Sequence, residues 1–248
     1  MKKRIFAFVL AAVLVMCLFS GCKKTGKMDA QIELISENIE TWAMSTENEN
    51  ATYSYGVTDM DQNGRLEIVA FKMYGKMSAV TEITCYEVSQ DKKSLEKCDY
   101  AKAGDTHVDI ESETAQCFEV DDQFYYVFED RTYDSASADY YAKVAITLKD
   151  GKITEEVLAN KAKLAVAIDD ENYEETITYT DTQGKAITEA QYENAGVDRF
   201  DGAEKTIAAF GWFGYSSTNH ADLMSYSTEK RNEILKDSYL KFTVDREF

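Results

Sequence analysis

AQCFEVDDQFYYVFE, residues Ala115–Glu129, decides the fold. Two runs rich in Phe, Tyr and Val flank the pair Asp121-Asp122. Val, Tyr and Phe favour strands, and aspartate tolerates the backbone of a tight turn. Two residues are enough for a hairpin, whereas a parallel crossover needs about a dozen or more. The runs are therefore predicted to be antiparallel neighbours. The same texture extends in both directions. LEIVAFKMY (Leu66–Tyr74), VTEITCYEV (Val80–Val88) and YYAKVAITL (Tyr140–Leu148) read as strands, and Lys149–Lys152 and Thr182–Lys185 as turns. The middle of the chain is an antiparallel meander.

Helices are expected at the ends. Met28, Ile32, Ile35, Ile39 and Trp42 recur at helical spacing, which predicts a helix over Met28–Met44 with its apolar stripe against the sheet. Thr188 and Gln191 have the spacing of a capping box and start a short helix, Glu189–Asn194. A second short helix is expected between Ala221 and Lys236, and SYLKFTVD (Ser238–Asp245) reads as a last strand. The fold class is α+β, an N-terminal helix on an antiparallel β meander with short C-terminal helices. A more nearly all-β sandwich or barrel is the alternative. About 220 residues from Met28 onward, with no proline anywhere to stiffen a linker, are read as one domain, 28–248.

Cys85 and Cys98 flank QDKK (Gln90–Lys93). A turn centred between Asp91 and Lys92 pairs positions whose numbers sum to 183, which sets Cys85 opposite Cys98. Opposed Cβ atoms lie about 4.5–5.5 Å apart. A disulfide and two reduced thiols in register both fit.

The sharpest chemical signal is DMDQNGRLE, Asp59–Glu67. Asp59, Asp61 and Asn63 alternate, Gly64 permits a sharp turn, Arg65 offers its carbonyl, and Glu67 follows. Calcium takes 6–8 oxygens, and alternate residues of a tight loop can aim carboxylates at one centre. The bidentate glutamate that an EF-hand carries at position twelve is missing, since Ala70 stands there, and the flanks read as strands. The stretch resembles the D-x-D-x-[DN]-G-x-x-[DE] loops found between strands in secreted bacterial proteins. That resemblance implies calcium on Asp59, Asp61, Asn63, Arg65 (through its carbonyl) and Glu67. The plain alternative is a type I′ turn at Asn63-Gly64. Asp59 and Asp61 also resemble the D-x-D of haloacid-dehalogenase-type phosphatases, but Asn63 departs from that motif and the parallel α/β pattern is absent.

At the N-terminus, Lys2, Lys3 and Arg4 precede Ile5–Phe19, an uncharged run of 15 residues. About 20 are needed to span a bilayer, so the run reads as a secretory signal. Leu18-Phe19-Ser20-Gly21-Cys22 resembles the lipobox of bacterial lipoproteins. The resemblance implies cleavage after residue 21, diacylglycerol on the Cys22 sulfur, a basic tether over 22–27, and a membrane-anchored protein on the extracytoplasmic face. The chain carries a net charge of −18; without Lys2, Lys3, Arg4, Lys23, Lys24 and Lys27 it has 21 basic against 45 acidic side chains, or −24. Such a surface repels nucleic acid, and none is expected as a partner.

No other constellation carries a reaction. Three S-x-x-K triplets (Ser89–Lys92, Ser94–Lys97, Ser227–Lys230) lack the accompanying motifs of penicillin-binding enzymes. His107 and His220 read as lone surface histidines. Phe210, Trp212, Phe213 and Tyr215 lie among glycines and offer either core rings or a stacking surface for a protein, peptide or glycan. The expectation is a non-enzymatic, membrane-anchored binding or accessory domain with a structural calcium loop. The alternative is a carboxylate-dependent hydrolase of cell-envelope or extracellular polymers.

Overall fold

The computed structural model describes residues 27–44, 51–74, 79–103, 114–135, 137–168, 173–216 and 219–245. The lipobox, Cys22 and His107 lie outside them. The fold is α+β, and its strands form two antiparallel sheets rather than one meander. The first sheet has the order β12-β1-β2-β3-β4, built from β1 (Ala51–Thr58), β2 (Glu67–Tyr74), β3 (Ala79–Val88), β4 (Leu95–Lys97) and β12 (Phe213–Ser216). The second contains β6 (Thr114–Val120), β7 (Gln123–Asp134), β8 (Ala138–Lys149), β9 (Lys152–Ala167), β10 (Tyr173–Asp181), β11 (Glu204–Ala209) and β13 (Thr243–Asp245), ordered β10-β9-β8-β7-β6-β11-β13. β5 (Asp99–Ala101) adds to β9 in the one parallel pairing among the described strands.

The hairpin at Asp121-Asp122 forms as expected. Val120 pairs with Gln123, and Asp121 and Asp122 both take positive φ (51° and 61°), as a type I′ turn requires. Asp150 and Gly151 repeat the device between β8 and β9.

Two sheets arise because some strands are apolar on both faces. In β2, Val69, Phe71 and Met73 enter one core while the alternate Ile68 and Ala70 enter another. In β7, Phe124, Tyr126 and Phe128 point one way and Val127 the other. Val69, Phe71 and Cys85 of the first sheet meet Tyr126, Phe128, Val144 and Ile146 of the second in a shared core. Helices cover the outer faces. On the first sheet lie α1 (27–37), α2 (Ile39–Trp42), α5 (His220–Ser225) and α6 (Thr228–Lys241), with Ile32, Ile35, Trp42, Leu223 and Leu235 against Tyr53, Tyr55 and Val57. Each such buried side chain contributes about 1.5–3 kcal/mol. On the second lie α3 (Glu189–Glu193) and α4 (Ala195–Arg199), with Tyr192 and Ala195 against Ala159 and with Phe200 against Phe118. The layers run helix, sheet, sheet, helix.

Several boundaries differ from expectation. The helix predicted over Met28–Met44 breaks at Asn38, whose side-chain amide donates to the Leu34 carbonyl (2.8 Å) and competes with the helical ladder. The capping box forms, with Gln191 N donating to Thr188 Oγ1, and the helix ends at Glu193. The predicted C-terminal helix is two helices, the second capped by the Ser227 hydroxyl. SYLKFTVD is only half strand, because Ser238–Lys241 extend α6 and β13 begins at Thr243. His220 is buried, its Nε2 2.5 Å from the Tyr55 hydroxyl.

Candidate metal centre

Eight residues, 59–66, connect β1 to β2, since Thr58 pairs with Glu67. The loop is not a type I′ turn at Asn63-Gly64. Positive φ occurs at Gln62 (55°) and Gly64 (79°), not at Asn63. Gln31 of α1 holds the loop from outside: its Nε2 donates to the Gly64 carbonyl (3.1 Å) and its Oε1 accepts from Leu66 N (3.0 Å). Tyr126, from the other sheet, donates its hydroxyl to the Met60 carbonyl (2.7 Å).

So held, Asp59, Asp61 and Glu67 each bring one carboxylate oxygen within 4.8 Å of the other two, a group that can hold a metal ion. Asp59 is buried, Asp61 half-buried and Glu67 0% exposed. Glu67 stands in the inward phase of β2 with Val69, Phe71 and Met73, so the carboxylate projects between the sheets. Its Oε2 accepts from Thr58 Oγ1 and Met60 N (2.8 Å each). Its Oε1 is buried with no hydrogen-bond partner.

Glu67 also pairs across the ladder with Glu87, 2% exposed. Like charges directly opposite destabilise a sheet. Glu87 is compensated, since its Oε1 meets Arg65 Nη2 and Asn63 Nδ2 at 2.7 Å each. No cation of the described protein compensates Glu67 in this way. Burial, then the neighbouring Asp59, push its carboxyl well above the usual range. Burial likewise raises Asp59 to about 6, against the amide of Gly64, which donates to both its oxygens at 3.2 Å. Asp61 is raised by burial too. These shifts favour the protonated, neutral carboxyls, and the same three oxygens lie where a metal ion could be held.

The Asn63 side-chain oxygen accepts from Arg65 N (2.7 Å), and its amide nitrogen donates to Asp61 Oδ2 and to Glu87. The Arg65 guanidinium turns to Glu87 and to the Val88 carbonyl. Sequence reasoning missed Gln31 and Glu87. Glu87 was readable as a carboxylate in phase with Ile83 and Cys85 on a buried strand; Gln31, a polar residue beside a helical stripe, left no signal. A cleft of about 650 Å³ borders the cluster, lined by Lys27, Gln31, Asp59, Asn63, Lys92 and Tyr239 among others, and of the three carboxylates only Asp59 lines it.

The aromatic stretch divides. Phe210 is core, within 5.5–5.7 Å of Tyr126, Phe128 and Phe242 and stacked on Trp212 (5.6 Å, 9°). Trp212, Phe213 and Tyr215 are half-buried and line a groove of about 400 Å³ with Lys230, Glu233 and Asp237 of α6. Ser89 and Ser227 of the S-x-x-K triplets accept backbone amides in a turn and a helix cap. No described helix is long and apolar enough to cross a membrane.

No protein-family model, curated protein or solved structure matches this chain. Fold and site alone define its class: an α+β protein of two facing antiparallel sheets with a three-carboxylate, metal-competent loop between β1 and β2.

Proposed function

We propose that the chain is a membrane-anchored extracytoplasmic lipoprotein, a non-enzymatic binding or accessory domain whose acidic loop is a structural calcium site. One observation carries the calcium reading: Asp59, Asp61 and Glu67 each bring one carboxylate oxygen within 4.8 Å of the other two, and the Glu67 Oε1 is buried with no hydrogen-bond partner. Calcium is hard, accepts irregular oxygen cages and suits a site with three carboxylates. The Arg65 carbonyl, and the Asn63 oxygen after rotation of its amide, would complete the shell. The anchor rests on the lipobox resemblance at Cys22. The half-buried rings of Trp212, Phe213 and Tyr215 support a protein, peptide or glycan ligand at their groove. The hydrolase reading has less support, because Glu67 is sealed from any substrate.

Thermal unfolding tests the site. Extracellular calcium modules bind at about 10⁻⁴–10⁻³ M. With a dissociation constant near 10⁻⁴ M and about 1 mM free calcium, linkage supplies roughly 1.4 kcal/mol. A chain of this size should then melt about 3–6 °C higher. Magnesium should do much less, since it demands a small octahedral shell, and Asp61→Ala should abolish the calcium shift. No shift at several millimolar calcium would leave the loop an ordinary connection.

A further inference from the structure

We infer that Cys85 and Cys98 form a disulfide that closes the β3–β4 hairpin. The register places them. Tyr86 pairs with Lys97, Glu87 with Glu96 and Val88 with Leu95, and one step further the Cys98 amide donates to the Cys85 carbonyl (2.8 Å). Directly opposed antiparallel residues hold their Cα atoms about 4.5–5.5 Å apart, within the range that a disulfide spans. The two thiols hydrogen-bond each other, and both lie in the inter-sheet core, 1% and 4% exposed. In the structure all three described cysteines are free thiols. Cys117 lies on another sheet, its Cα opposite Tyr126.

The chemistry balances with an external disulfide as oxidant, either oxidised glutathione or an oxidoreductase of that class. One cysteine thiolate attacks the oxidant, giving a mixed disulfide and one released thiol. The second cysteine thiolate then attacks the bound sulfur, the Cys85–Cys98 bond forms, and the second thiol leaves. Two thiols are oxidised, one disulfide is reduced, and the two cysteine protons end on the released thiols. The Cys85 thiol is pushed well up by its hydrogen bond to Cys98 and by burial. Exchange is therefore slow in the folded protein, so the bond forms as the chain folds and is afterwards sheltered from reductants. The closed hairpin carries Glu87, the residue that braces Asn63 and Arg65.

The test is refolding of the full chain from denaturant in a glutathione redox buffer, alkylation, and tryptic digestion without reduction. Trypsin cuts after Lys92, Lys93 and Lys97, so the bond appears as Met77–Lys92 joined to Cys98–Lys102, with Cys117 alkylated on Ala103–Arg131. Dithiothreitol added during refolding should remove the joined species and lower the melting temperature of wild type, while the melting temperature of Cys98→Ala stays where it is. Alkylation of both Cys85 and Cys98 under oxidising refolding, or either of them joined to Ala103–Arg131, overturns the inference.

Discussion

In the inter-sheet core, Glu67 occupies a position that its phase with Val69, Phe71 and Met73 would give to an aliphatic side chain, and it faces Glu87 across the ladder. Two hydrogen bonds satisfy one oxygen and nothing satisfies the other. Glu67→Gln removes the charge while keeping an acceptor for Thr58 and Met60. In the presence of a chelator this variant should be more stable than wild type by ~1–3 kcal/mol, the scale of a buried uncompensated group, and calcium should no longer raise its melting temperature. A less stable variant would mean that Glu67 works only through its hydrogen bonds. Proton linkage gives a matching pH dependence. The folded-state pKa of Asp59 is raised from 3.8 to about 6, so between those values the folded chain binds more protons than the unfolded chain. Stability without calcium should therefore fall as pH rises from about 4 to 6, and calcium should remove that fall. His220 has the opposite sign: burial lowers its pKa, so its contribution is lost as pH falls below about 6.5. Melting curves of wild type and Asp59→Asn across this range separate the two.

Among the elements, α6 is pinned to the first sheet through one side chain. The Ser238 hydroxyl, 2% exposed, accepts from Val57 N (2.9 Å) and donates to the Gly211 carbonyl (2.5 Å). A Cβ on Gly211 would collide with the Ser238 carbonyl, which is why the β11–β12 connection passes beneath the helix on a glycine. Ser238→Ala leaves a buried donor and a buried acceptor unpaired, a cost of about 1–3 kcal/mol each; its melting temperature should drop by several degrees with the calcium increment intact. The strands rich in Val, Ile, Tyr and Phe, β2, β3, β6, β7 and β8, were legible in the sequence, as were the Asp121-Asp122 turn, the capping box and the Cys85–Cys98 register. β9, KITEEVLANKAKLAVA, was not. Its Ala, Glu, Leu and Lys favour helices, and only pairing with β8 and β10 on both sides makes it a strand. His220 was misread because one histidine in a polar stretch gives no hint that Tyr55, distant in the chain, will bury it. The acidic loop was legible as a ligand pattern; its burial and the brace from Glu87 came from long-range pairing.

At the scale of the whole molecule, four layers bury aromatic residues from both sheets, and the chain carries a net charge of −18. A buried cluster of three carboxylates in such a chain is a place where a metal ion could be held. Where the protein resides follows, in the proposed reading, from Cys22: Cys22→Ala in a bacterial host should leave an unprocessed precursor or release the protein from the membrane fraction, and unchanged processing and retention would remove the anchor. The central claim is the cation, and titration calorimetry of the full chain with calcium at neutral pH tests it most directly. The account predicts one calcium per chain with a dissociation constant of about 10⁻⁴–10⁻³ M, lost in Asp59→Asn and in Glu67→Gln. Saturable binding that survives both substitutions, or no binding by wild type at millimolar calcium, would contradict it.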